Sequence, residues 1–147
     1  MTWWILILAV LSGAVAPLQV GINAQLAKTM LHPLQATLVS FIIGTLGVTA
    51  VSFAWRVPMP ALMQSLQAPP ILLTGGLLGV FMVMSAITTA PRLGAAVFIS
   101  ASIAGQMIAS LLMDYYGVMG YAAQPISLTK ILGVLFVMAG VFLIRGI

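Results

Sequence analysis

Apolar residues in this chain neither alternate with polar ones nor recur every third or fourth place; they run on. Five stretches, Trp3–Gln25, Leu34–Ala54, Ile71–Thr89, Leu93–Met113 and Leu128–Ile144, are apolar nearly throughout, and charged, polar and proline residues gather between them. A helix rises about 1.5 Å per residue, so about 20 residues cross the roughly 30 Å hydrocarbon layer of a bilayer. Each stretch meets or approaches that length. The last is the shortest and relies on Arg145 snorkelling to the interface. A membrane β-barrel needs period-two alternation, which is missing. Backbone groups in lipid must be bonded within their own segment, so the pattern predicts an all-α integral membrane protein, one domain of five transmembrane helices over residues 1–147.

The gaps have connector chemistry. Lys28, His32 and Pro33 separate the first two spans. Trp55–Pro70 holds four prolines and Arg56, with Leu62, Met63 and Leu66 placed to lie on the interface as one amphipathic turn. Ala90-Pro91-Arg92 predicts a tight corner that makes the third and fourth spans antiparallel neighbours. Asp114–Ser127 carries Tyr115, Tyr116 and Tyr121, which with Trp3, Trp4 and Trp55 suit the headgroup belt. Only Met1 and Thr2 precede Trp3, and the apolar run outlasts a usual leader core, so the first stretch is expected to be a retained span.

Composition sharpens this picture. Only 4% of the residues are charged and 63% are hydrophobic, against about 25% charged in a soluble domain. The net charge of +4 would ordinarily raise nucleic acid as a partner. Here the five basic residues stand singly at span ends, with no cluster to follow a phosphate backbone, so the expected partner is the lipid bilayer. With five spans the termini lie on opposite faces. Arg56 and Lys130 then share the amino-terminal face, and Lys28, Arg92 and Arg145 the other. Positive charge sets orientation, and here it nearly cancels. Two readings stay open: one weakly preferred orientation, or dual topology with copies inserted both ways. The second suits a transporter, because an inverted copy supplies the second repeat that one odd-numbered chain lacks.

Polar residues inside the spans mark candidate sites. Gly13, Pro17 and Gly21 are expected to break the first helix, and Ser12, Gln19 and Asn23 share an arc of it. An interrupted helix with an amide stripe points to substrate binding near the midplane; interhelical hydrogen bonding is the alternative. On the fourth span Ser102, Gln106, Ser110 and Asp114 follow one another at intervals of four, and Ser102 and Gln106 join the substrate-binding candidates. Asp114, the sole acid, closes its span. It is read as an interface or loop-capping residue first, and with Arg92 as a coupling or gating candidate second. Gly75, Gly79, Gly133 and Gly140 are assigned to helix packing, while Thr45, Thr49 and Ser52 are expected to bond backbone carbonyls. One His, one Asp and no Cys or Glu give no acid–base pair and no metal set, so neither an enzyme nor a metal or cofactor is expected.

The run Gly13-Ala14-Val15-Ala16-Pro17-Leu18-Gln19-Val20-Gly21-Ile22-Asn23-Ala24-Gln25-Leu26 resembles the first helix of the YdcZ-like proteins of the drug/metabolite transporter superfamily. Gly75-Gly76-Leu77-Leu78-Gly79, Ala90-Pro91-Arg92-Leu93-Gly94-Ala95-Ala96, Gly105-Gln106 and Asp114-Tyr115-Tyr116-Gly117 resemble the same family's central region, in order. The resemblance implies a multi-pass protein of a bacterial-type inner membrane, one half of a ten-helix inverted-repeat assembly. It also implies pairing as an antiparallel homodimer or with a homologous partner chain. Gln19, Asn23, Arg92, Gln106 and Asp114 fall on its motif positions. Two departures stand out. The first-helix glutamate of the superfamily's small multidrug exporters is absent, which argues against cation/proton antiport, and Tyr115 stands where members often carry histidine after the aspartate. The expected function is a secondary transporter of a small polar or amphipathic metabolite working by alternating access. The rival is a non-transporting scaffold or regulatory subunit of a partner complex.

Overall fold

The computed structural model describes residues 3–58 and 67–146, and these are helical with short connections. The helices are α1 (Trp3–Met30), α2 (Pro33–Ala54), α3 (Pro70–Leu73), α4 (Gly75–Leu93), α5 (Ala95–Tyr116) and α6 (Leu128–Arg145). Five segments are long and apolar enough to span a membrane, α3 and α4 together forming the third, Pro70–Leu93. The expected interfacial turn at Leu62, Met63 and Leu66 lies outside the described residues.

Local chemistry sets the boundaries. α1 extends past the expected end at Gln25, because Leu26–Met30 contains no glycine or proline and Lys28 in the last turn complements the helix dipole. At 28 residues it is about 42 Å long, more than the hydrocarbon layer requires. Leu31 ends it in the left-handed region at φ 63°. His32 then caps α2, its Nδ1 accepting from the Leu34 N–H at 3.1 Å, and Pro33 occupies the first helical position. At Thr74 the backbone turns between α3 and α4. The Leu78 N–H still donates to the Thr74 carbonyl at 3.1 Å, so the two pieces make one span.

Two expectations are corrected. α1 runs unbroken through Gly13, Pro17 and Gly21: a proline deletes one hydrogen bond, which a long helix absorbs without ending. The corner expected at Ala90-Pro91-Arg92 is helical as well, since α4 continues through Pro91 to Leu93. The chain turns instead at Gly94, whose φ of 87° and ψ of 149° lie in a region open essentially to glycine alone.

The chain divides into two compact units, residues 1–17 with 92–147, and residues 18–91. Both divisions fall at prolines inside helices, Pro17 in α1 and Pro91 in α4. In the 18–91 unit the buried residues are Asn23, Ala36, Thr37, Ala86, Ile87 and Ala90, mostly small side chains that let helix backbones approach. Gly79 meets α2 there: a Cβ at this position would stand 3.3 Å from the Phe41 ring. In the other unit α5 and α6 form the most extensive helix pairing among the described residues, with Ala104 and Val134 buried. Thr45 and Ser52 bond the Phe41 and Val48 carbonyls at 2.8 Å, as expected of hydroxyls in apolar helices.

Candidate functional site

The loop 117–127 brings the ends of α5 and α6 together. Gly117 caps α5 at φ 61°, and the chain folds back so closely that a Cβ there would stand 2.9 Å from the Ala123 Cβ. The Gln124 N–H donates to the Asp114 carbonyl at 2.8 Å. Ser127 opens α6, its Oγ accepting from the Lys130 N–H at 3.2 Å. This geometry sets Lys130 Nζ 3.7 Å from Asp114 Oδ2 and 3.0 Å from Gln124 Oε1, to which it donates. Asp114 and Lys130 are each about one-third exposed.

Beneath this ion pair lies a cleft of about 400 Å³ between α5 and α6. Gln106, Ser110 and Asp114 line it from α5, and Lys130, Gly133 and Val134 from α6; Ile103, Met107 and Leu111 give it an apolar wall. Three of the four polar residues spaced at intervals of four on α5 therefore converge on one cleft. Ser102 does not line it and stands half-buried elsewhere on the helix. The hydroxyls of Ser12, Thr88 and Ser100 are bonded to carbonyls of their own helices. Among the described residues neither Ser110 nor Gln106 has such a bond, so both present free hydrogen-bonding groups to the cleft. A second cleft of about 450 Å³ in the same unit is apolar, lined by Pro17, Ala95, Ile99, Ile103 and Ile144 among others. Ser100 borders it with its hydroxyl committed to the Ala96 carbonyl at 2.7 Å.

The remaining candidates are not among the residues that line this cleft. Ser12 is exposed in the first half of α1, its Oγ 2.8 Å from the Ala9 carbonyl. In the 18–91 unit Gln19 is exposed and Asn23 is 5% exposed. Arg92 sits exposed in the last turn of α4. Among the described residues only Gly79 of the four packing glycines has a close neighbour; Gly75, Gly133 and Gly140 meet none of them where a Cβ would stand. Lys130 and Gln124 join the site only through the fold: the sequence marks Lys130 as a topology charge, because the fold-back that pairs it with Asp114 leaves no periodic signal, and it marks Ser110 only as a member of the α5 stripe.

No curated protein and no solved structure matches the chain. A family model described as "putative inner membrane exporter, YdcZ" matches residues 4–143. With five apolar helices of spanning length, an inner-membrane location follows, and the family description supports a transporter role. The chain belongs to the YdcZ family of the drug/metabolite transporters.

Proposed function

We propose that the chain is one half of a secondary transporter for a small polar or amphipathic metabolite. It pairs with an inverted copy of itself, or with a homologous chain, into a ten-helix assembly that works by alternating access. The observation that carries this reading is the cleft between α5 and α6, where Gln106 and Ser110 offer uncommitted polar groups beside the apolar Ile103, Met107 and Leu111 and below the Asp114–Lys130 pair. An amide within a span must face protein, water or ligand, because lipid leaves it unsatisfied. Gln19 and Gln106 are both exposed on the single chain, which favours a second chain covering them. The near-balance of positive charge between the two faces supports an inverted partner.

Reconstituted proteoliposomes should release solute above empty-liposome background from a mixed panel of polar and amphipathic metabolites. A panel that stays at background, in a preparation that remains folded, sinks the transporter reading in favour of a non-transporting subunit. Single cysteines at each terminus should label from both sides of the membrane. Labelling from one side alone excludes the antiparallel homodimer and leaves the homologous partner.

A further inference from the structure

Asp114 and Lys130 occupy positions that work against their own helices. The carbonyl end of a helix carries partial negative charge and the amide end partial positive charge. Asp114 stands in the last turns of α5 and Lys130 in the first turn of α6, so each is on the unfavourable end. Their separation of 3.7 Å with one-third exposure makes a weak surface pair, easily opened. A pair so placed is a poor device for stability, yet it forms the polar end of a cleft whose other walls are Leu111, Met107 and Ile103.

We propose that this pair is the head-group site of the cleft and that it takes a zwitterion: an ammonium and an anionic group on one amphipathic molecule. The pair is neutral as a whole. A bare cation would engage Asp114 alone and a bare anion Lys130 alone; a partner bearing both charges gains both charge-assisted contacts. The ligand's ammonium sits on Asp114 and its anionic group on Lys130. Ser110 and Gln106 lie deeper, and the apolar substituent runs along Leu111 toward Met107. Gln124, already bonded to Lys130 Nζ and to the Asp114 carbonyl, positions the pair while it opens. The same chemistry is offered by a free amino-acid-like metabolite and by a phosphatidylethanolamine headgroup. The site deepens the transporter reading and rests on it for its purpose, but its test is binding.

The test is equilibrium dialysis of the full chain in detergent against labelled leucine, isoamylamine and 4-methylpentanoate, which share an apolar body and differ in charge. Leucine should bind about tenfold more tightly than either single-charge probe. Lys130→Gln should shift the preference to isoamylamine, and Asp114→Asn to 4-methylpentanoate, a reversal that a purely structural pair would not produce. The neutral D114N/K130Q variant keeps the hydrogen-bonding shapes, and leucine binding to it should fall about tenfold. Competition by short-chain phosphatidylethanolamine but not phosphatidylglycerol assigns the same site to the lipid headgroup; indifference to both assigns it to the free metabolite. Equal binding of the three probes, or wild-type leucine binding by D114N/K130Q, overturns the proposal. If uncharged solutes are transported while leucine does not bind, the zwitterion site falls and the transporter stands. If the preference reverses as stated but no solute crosses the bilayer, the transporter falls and the site stands.

Discussion

Single residues in this protein divide into those whose polar groups are spent locally and those whose groups are free, and that division decides what a substitution does. Replacing Gln106 with Leu keeps the volume and removes the amide, so transport in proteoliposomes should be lost while elution in detergent is unchanged; loss of assembly would favour interhelical bonding instead. Gln19→Leu carries the same expectation. His32 is a residue whose group is spent: its Nδ1 caps α2. His32→Ala should lower unfolding stability by about 1 kcal/mol, and Asn, a good cap, should restore it, as read by denaturant titration. The sequence shows His32 to be poorly placed for metal but does not show it as a cap, because the cap depends on the turn at Leu31. At Gly117 the backbone is left-handed and Ala123 is in contact range. Gly117→Ala should destabilise the α5–α6 hairpin by about 1–2 kcal/mol from the backbone term alone, and thermal unfolding in detergent reports it.

Elements were legible where hydrophobic run length speaks and illegible where single residues were read as punctuation. All five spans lie where the apolar runs put them, because lipid permits no other backbone solution for such runs. Pro17 and Pro91 mislead for a common reason. The sequence suggests an interruption at the first and a corner at the second, whereas each removes one donor and the neighbouring turns hold. Glycine at 94, with no signal beyond its identity, makes the turn. The candidate site was legible in part for a similar reason: intervals of four on one helix are visible in sequence, so Gln106, Ser110 and Asp114 were grouped, but the contribution of α6 required the loop. The helix-end argument gives a prediction at this scale. Exchanging the charges as D114K/K130D should stabilise the hairpin by about 0.3–1 kcal/mol per site, because both charges then match their helix ends. A lower melting temperature for the exchanged protein would show that the native order of the pair is needed for folding.

At the scale of the whole molecule the governing fact is how few of the described residues are interior. No more than 11% of any span's most apolar window is buried, and the buried side chains are mostly small. In water such a surface would drive aggregation; in lipid the apolar part needs no cover, and only the amides and the ion pair ask for one. The proposed partner would therefore answer to a handful of polar atoms rather than to apolar area. Consequently, the thermodynamics of this chain should follow its dilution. Where folding and association are inseparable, stability depends on protomer concentration, and in a bilayer that concentration is counted per lipid. Titrating lipid into proteoliposomes at fixed protein should lower the unfolding temperature progressively, and an invariant value would mean that the single chain is stable alone. In a cell the same dependence would tie the amount of working protein to the scarcer of two partners, so that expressing one in excess adds unassembled chains and no further transport.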